Sequence, residues 1–301
     1  MKIGALILLK ICCLFTFITY AQQNNLKFRQ IGTVHGLSNS IVQTIFQDKQ
    51  GFMWFGTRDG LNKYEGYKFR IYRRSINNKN TIRSNDIKGI VQDNQNQLWF
   101  ATADGGLNIL DLQKDKFTHP DKTFPQNKPV SNNIRYLYKD RRNNIWICSS
   151  DKGLYAYNKQ SGYYRHYNTR SAIAAVREDS QGNIWVGLAN SGLLVINSRG
   201  KVVREFSTSK GTGKGLSDDH IRFIFEDSHK KLWVGTYGGG LNQFDASTSS
   251  FRKINYEKIS STNPEHTFLL CMEEDSKGNL WIGSENGGLF IYNPATAASI
   301  S

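Results

Sequence analysis

The chain has 301 residues, a formal net charge of +14, 39% hydrophobic and 12% aromatic residues. That length admits one large β domain or two smaller ones. An aromatic-rich composition with only 5 prolines and no low-complexity tract excludes a disordered chain. The positive balance favours anionic partners, but the basic residues are scattered along the chain, which argues against nucleic acid and leaves anionic glycans or lipid headgroups, or a plain solvated surface.

The first 21 residues read as an export signal. Lys2 opens it, and Ile3 to Tyr20 is apolar apart from Lys10 and two threonines. Thr19-Tyr20-Ala21 is a small-x-Ala cleavage site followed by polar Gln22 to Asn25. A retained anchor is disfavoured because Lys10 interrupts a stretch at the lower limit for a spanning helix. Cys12 and Cys13 follow Lys10-Ile11, which does not suit a lipoprotein signal. The expectation is a signal peptide over 1–21, a periplasmic domain over 22–301 near +12, and no membrane span after cleavage. Cys148 and Cys271 are then the surviving cysteines, expected as free, buried thiols.

From Trp54 onward the chain repeats itself. Trp54, Trp99, Trp146, Trp185, Trp233 and Trp281 are separated by 45, 47, 39, 48 and 48 residues, a period typical of propellers and other arrays. Six residues before each stands an aspartate: Asp48, Asp93, Asp140, Asp179, Asp227, Asp275. Two residues after each is a small side chain: Gly56, Ala101, Cys148, Gly187, Gly235, Gly283. Seven or eight residues after each is a leucine: Leu61, Leu107, Leu154, Leu193, Leu241, Leu289.

The fifth unit predicts four strands. Ile221 to Glu226 alternates, Asp227 to Lys231 turns, and Leu232 to Thr236 is a second strand. Tyr237 to Gly240 is a Gly-rich turn, followed by Leu241 to Phe244 and Ser250 to Ile254. Four short strands per unit make a propeller blade. The tryptophan fills space against the next blade, and the small residue two positions on shares its face and leaves room for that neighbour. The repeated aspartate caps a turn through backbone N–H groups two residues on. One carboxylate per turn does not make a calcium loop. Gly51, Asn96, Asn143, Gly182 and Gly278 suit the awkward backbone position of that turn; the fifth unit has Lys230 there.

The sixth unit reads as three strands ending near Tyr292-Asn293-Pro294, and Lys27 to Ile31 offers a spare strand that could complete a shared blade and hide sheet edges. The expected fold class is therefore all-β, a β-propeller of four-stranded blades with six repeats, either closed by the N-terminal strand or cut from a seven-bladed ring.

Gly36-Leu37-Ser38-Asn39-Ser40-Ile41, Gly51-Phe52-Met53-Trp54-Phe55-Gly56-Thr57-Arg58-Asp59-Gly60-Leu61-Asn62 and Gly215-Leu216-Ser217 with Leu232-Trp233-Val234-Gly235-Thr236 and Gly239-Gly240-Leu241-Asn242 resemble the two-component regulator propeller repeat. The resemblance covers roughly residues 26 to 293. It implies the N-terminal periplasmic sensor region of a hybrid two-component histidine kinase of Bacteroidetes-type bacteria. Such sensors carry two seven-bladed propellers, a β-sandwich, a membrane helix and cytoplasmic kinase, receiver and DNA-binding modules, and they detect oligosaccharides. This sequence departs from that plan with six units and no kinase or receiver. The implied partners are an oligosaccharide and a second propeller, sandwich or kinase module, or a second copy of the chain. Ligand residues of the family lie in variable loops, so the resemblance transfers none.

In a propeller the loops joining second to third strands and outer strand to next inner strand share one face, where ligands bind on a rigid scaffold. That places Arg58, Asp59, Asp104, Asp151, Asn190, Tyr237 and Asn286 from the first set, and Arg83, His220 and His266 from the second, as candidate ligand residues. Tyr237 offers a flat surface for sugar stacking, and Arg58 and Arg83 could pair with a carboxylate or sulfate. The six histidines show no metal spacing, no Gly-x-Ser-x-Gly elbow occurs, and Gly238 to Gly240 joins strands, unlike a phosphate loop. No catalytic residue, cofactor or metal is expected. The rival readings are a propeller lyase or glycoside hydrolase, with a carboxylate pair drawn from Asp59, Asp104 or Asp151, and a protein-interaction scaffold.

Overall fold

The computed structural model describes residues 29–120, 131–158, 160–169, 171–209, 215–254, 268–285, 287–296 and 298–300. The expected signal segment lies outside them. After a 3-10 turn at Thr33–His35, six four-stranded antiparallel sheets follow one another. Val42–Gln47, Met53–Thr57, Gly60–Tyr64 and Phe69–Tyr72 are β1–β4. Ile87–Gln92, Gln97–Thr102, Leu107–Asp111 and Lys116–Thr118 are β5–β8. Ile134–Lys139, Ile145–Ser149, Leu154–Asn158 and Tyr163–Tyr167 are β9–β12. Ile173–Glu178, Ile184–Leu188, Leu193–Ile196 and Val202–Phe206 are β13–β16. Ile221–Glu226, Leu232–Thr236, Leu241–Asp245 and Ser250–Lys253 are β17–β20. Leu269–Glu274, Leu280–Ser284, Gly288–Asn293 and Ala298–Ile300 are β21–β24. Each sheet pairs its strands in sequence order, and successive first strands contact one another from β1 to β21. This is a six-bladed β-propeller whose first strands line the centre.

The repeated residues account for each blade. Every aspartate opens the turn after the first strand and performs two tasks at once. In the fifth blade Asp227 Oδ1 accepts the Lys231 N–H at 2.8 Å, and Oδ2 accepts the Trp233 indole N–H at 2.9 Å. The indole bond recurs in all six, at 2.8 to 3.0 Å. The sequence reading assigned the turn bonds; the indole bond explains in addition why aspartate and tryptophan keep a fixed spacing. With both oxygens engaged, these carboxylates are turn and indole acceptors. Lys230 adopts φ 63° at the turn position where Asn96 and Asn143 have 63° and 62° and Gly182 has 81°.

Apolar clusters fill the junctions between neighbouring sheets. Trp54 and Leu61 pack on Ile87, Ile90 and Phe100 of the second blade; equivalent clusters join blades two to three, three to four, four to five and five to six. A Cβ on Gly56 would lie 2.7 Å from Ile87 Cγ2, and one on Gly187 would lie 2.5 Å from Ile221 Cγ2. These glycines make room for the first-strand isoleucine of the next blade, as alternation predicted.

Two expectations need correction. The sixth blade does not borrow a strand from the N-terminus. β24 is its fourth strand, with Ile291 opposite Ile300 and Asn293 opposite Ala298. Asn293 Oδ1 accepts the N–H groups of Ala295 and Thr296 and folds the chain back into register. An outermost strand pairs along one edge through its backbone, so it needs no alternating pattern. Arg29 to Ile31 are not strand, and Lys27 and Phe28 lie outside the described residues. The cysteines are both free, but only Cys148 is buried; Cys271 is exposed, because its face of the sixth blade meets no following sheet.

Candidate functional site

The two sets of loops do share a face. In five blades the N–H just after the second strand donates to the carbonyl just before the first strand: Ala103 to Asp86, Ser150 to Asn133, Ala189 to Ala172, Tyr237 to His220 and Glu285 to Phe268, at 2.8 to 3.1 Å. Further bonds reach the next blade: Gly60 to Asn85, Gly106 to Asn132 and Gly192 to Asp219.

The lead-in loops are anchored by one device. Leu37, Ile82 and Leu216 are buried. The N–H of the next residue, Ser38, Arg83 or Ser217, donates to a fully buried asparagine on the third strand: Asn62, Asn108 or Asn242, at 2.9 to 3.0 Å. Arg83 is thereby fixed at the mouth by Ile82 below and Asn108 beside it.

The connection from β4 to β5 rises over this mouth. Its tip is ordered by Asn78, whose Oδ1 accepts the Asn80 N–H at 2.9 Å and whose carbonyl accepts the Thr81 hydroxyl at 3.0 Å. Asn80 in turn accepts the Phe117 N–H at 2.7 Å. Beneath it lies a cavity of about 580 Å³ lined by Arg74, Lys79, Arg83, Asp104, His119 and Asn132, among others. Three permanent cations face one carboxylate. Among the described residues neither Arg74 nor Lys79 is in an ion pair. Such a site is suited to a polar ligand carrying negative charge, through charge-assisted hydrogen bonds. A second cavity of about 460 Å³ follows the first strands; Lys49, Tyr136 and Arg177 line it together with Ile45, Phe46, Ile90, Val91 and Leu137, so its wall is the more apolar of the two.

Of the candidate residues, Arg83 and Asp104 come together in the larger cavity. Arg58 is exposed nearby in the chain. Asp59 is engaged: it pairs with Arg73 at 2.8 Å and accepts from Asn85 at 3.4 Å, clasping the β4–β5 connection. Asp151 accepts the hydroxyls of Ser131 and Ser149, which hold its carboxyl below the usual range. Asn190 is exposed, its N–H on Ser171. His220 Nδ1 lies 2.7 Å from Asp218. Tyr237 does not present a free flat surface. Phe268 stacks on it at 4.2 Å, and the Arg222 guanidinium lies over the same ring at 4.3 Å. Two groups so close to one centroid occupy its two faces. His266 and Asn286 lie outside the described residues.

Sequence reasoning did not single out Arg74, Lys79 or His119. The available signal was the basic, polar run Arg73-Arg74-Ser75 to Lys79 in a 14-residue connection. By contrast, only residues 168–172 separate β12 from β13, which produces the short 39-residue tryptophan spacing. Among the described residues no group of three His, Cys, Asp or Glu is placed to hold a metal ion, and no helix is long and apolar enough to cross a membrane.

Residues 36–59, 81–104, 129–151, 215–238 and 264–286 match the family described as two component regulator propeller. The fourth blade, with its shortened lead-in, is the unmatched one. Histidine kinase P4 of Formosa agariphila is 44% identical over 72 residues, 23% of this chain and 5% of that kinase. The extracellular domain of a hybrid two-component system from B. thetaiotaomicron superposes with a TM-score of 0.76 at 24% identity, covering 89% of this chain and 36% of its own. A second extracellular domain from that organism, of a one-component system, has a TM-score of 0.68 at 26% identity, covering 87% and 36%. The chain thus spans little more than a third of those domains. Virginiamycin B lyase from Staphylococcus aureus shares the fold, with a TM-score of 0.54 at 16% identity over 71% of this chain and 68% of the lyase.

Proposed function

The chain belongs to the two-component regulator propeller family, and from that premise we propose that it is the ligand-sensing propeller of a surface signalling system, exported by a signal peptide over 1–21. Its ligand is an oligosaccharide bearing negative charge, and kinase modules carried outside this chain receive the signal. The observation that carries the reading is the cationic, hydroxyl- and amide-rich cavity beneath the β4–β5 connection, where Arg83 and Asp104 meet Arg74, Lys79 and Asn132. Guanidinium groups take carboxylate or sulfate, while Asp104 and the amides take sugar hydroxyls. Of the initial candidates, Arg83 and Asp104 carry this role, and Asp59 and Asp151 shape the loops.

Thermal-shift titration of the chain with neutral and anionic oligosaccharides tests this. An anionic sugar that raises the melting temperature with concentration, is recovered unchanged, and loses its effect on Arg83→Gln supports the sensor. A sugar consumed on incubation identifies an enzyme instead. A ligand whose effect survives Arg83→Gln and Lys79→Gln together binds elsewhere.

A further inference from the structure

The face opposite the mouth is formed by the turns after the first and third strands. The residue that follows the apolar end of the third strand is an acid in blades one, two and five: Glu65, Asp111 and Asp245. Asp111 Oδ1 accepts the N–H groups of Gln113 and Lys114 at 3.0 and 3.1 Å, and its carboxylate lies 3.7 Å from Lys114 Nζ. Glu65 likewise lies 3.5 Å from Lys68 Nζ. Blades three, four and six carry asparagine there: Asn158, Asn197 and Asn293. The turns of blades three and four are kept. Asn158 Oδ1 accepts the Gln160 N–H, and Asn197 Oδ1 accepts those of Arg199 and Lys201, each at 3.0 Å. The negative charge is not kept, and blades three and four are neighbours, so their junction lacks two successive acids.

Cations collect at this junction. Arg142, in the turn after β9, donates to the Ser198 carbonyl at 2.7 Å. Arg165 on β12 donates to the carbonyls of Arg199 and Gly200, and the Tyr167 hydroxyl donates to Gly200 at 3.1 Å. Gly200, at φ 72°, leaves the room those side chains occupy, since a Cβ there would lie 3.0 Å from the Tyr167 hydroxyl oxygen. Main-chain carbonyls thus fix two guanidinium groups without cancelling their charge. Among the described residues Arg142, Arg165, Arg199 and Lys201 take part in no ion pair. Arg142 and Arg199 line one cavity of about 290 Å³, together with Asn144, Asn158, Ser161 and Tyr163. The two carboxylates in its wall are engaged. Asp140 accepts from the Trp146 indole, the Asn144 amide and two turn N–H groups. Glu178 accepts the Arg141 N–H and pairs with Arg141 Nε at 3.0 Å.

We propose that this cavity is a second anion site, on the face opposite the mouth, for a tetrahedral oxyanion: a phosphate or sulfate group, free or carried as an ester. A planar carboxylate is satisfied by one guanidinium fork, whereas a tetrahedral group presents three oxygens in different directions. Arg142 from blade three and Arg199 from blade four supply forks from the two sides of the junction. Ser161 Oγ accepts the Tyr163 N–H at 3.3 Å, which leaves its own hydrogen to donate to a third oxygen. Tyr163 gives the wall a ring against which an attached sugar-sized group can lie. The site does not rest on the ligand proposed for the mouth, which lies at the other end of the strands.

Amide hydrogen exchange of the chain with inorganic phosphate, inorganic sulfate or glucose 6-phosphate tests this, in about 0.15 M sodium chloride, where diffuse attraction is screened beyond about 8 Å. The expected result is slower exchange at residues 197–201 that saturates with anion concentration. Asn197→Asp restores the carboxylate that blades two and five carry and keeps an acceptor for Arg199 and Lys201. It should melt at a similar temperature and weaken anion binding by on the order of tenfold or more. Arg199→Gln, which removes the charge and leaves the turn bonds, should weaken binding to a similar degree and serves if the first variant fails to fold. Tighter binding of glucose 6-phosphate than of inorganic phosphate, with the difference removed by Tyr163→Leu, supports the site and assigns an ester to it; equal affinity supports the site and assigns the free anion. Three results would each overturn the proposal: no slowing at 197–201 with any of the three anions, slowing confined to residues 74–83 at the mouth, or slowing that survives Asn197→Asp and Arg199→Gln alike.

Discussion

Asp275 accepts the indole N–H of Trp281 at 3.0 Å, as Asp227 accepts that of Trp233 at 2.9 Å, yet only the second pair is buried. The same two residues at the same spacing therefore make one interaction in two environments. Trp233→Ala should cost about 3–5 kcal/mol, since it empties a packed junction and leaves the buried Asp227 carboxylate short of a donor. Trp281→Ala should cost less, because part of its surface is already in water. Urea unfolding of the two variants measures the difference; equal losses would contradict the contrast in burial.

Lys230 holds a left-handed backbone at φ 63° in a turn that elsewhere uses glycine or asparagine. An L-residue with a long side chain is strained there by roughly 1–2 kcal/mol, part of which glycine returns through its greater freedom in the unfolded chain. Lys230→Gly should raise stability by about 0.5–1 kcal/mol. A destabilised variant would show that the lysine makes a compensating contact.

Much of the fold could be read from the repeats because each blade writes its packing into one register. Trp233, Gly235 and Leu241 sit on one face of one sheet, and alternation alone relates them. The fifth blade's strands accordingly match their expected bounds within a residue or so at each end. β24 was not legible, since an edge strand is held by backbone bonds that any side chain permits. Of the residues lining the candidate cavity, two were legible in the sequence. Arg83 is named by the Leu-Ser-like lead-in motif in which it replaces serine, and Asp104 by the loop after the second strand. Arg74 and Lys79 reach the same cavity through the fold of a 14-residue connection, and Tyr237 is covered by Phe268 from the next blade; both depend on contacts that repeat spacing does not encode.

Acid stability should reflect Asp275 and Asp151. The Trp281 indole and Asn279 amide hold Asp275 well below the usual carboxylate range, and two serine hydroxyls lower Asp151. A depressed folded value means that the unfolded chain takes up protons first as pH falls. The stabilisation is complete above the unfolded value of about 4 and is lost progressively below it. Melting temperature should therefore decline from about pH 4 downward. Asp275→Asn, which cannot titrate, should show a shallower decline; an unchanged slope would show that the decline arises from other carboxylates.

Alkaline behaviour runs the opposite way. Burial pushes Tyr155 and Tyr167 up to about 12. The folded chain keeps protons that the unfolded chain releases near pH 10, so this stability is full below about 10 and falls as pH rises toward 12. Phenolate absorbance should appear in two phases, the later one coinciding with unfolding. Tyr155→Phe and Tyr167→Phe should reduce the late phase; a single phase near 10 would place both rings in water.

Asn108 offers a way to separate the mouth's geometry from its charge. It is fully buried, and its Oδ1 holds the Arg83 N–H at 2.9 Å. Asn108→Ala leaves that N–H without its partner and should cost about 1–3 kcal/mol. It should also free the lead-in around Arg83, so amide exchange of residues 81–84 should quicken more than that of β5. Because the cavity keeps its charges, an anionic ligand should still bind, but more weakly and with faster release. Arg83→Gln should instead weaken binding with little change in amide exchange. If both variants weaken binding equally and neither alters exchange, Asn108 does not act by positioning Arg83.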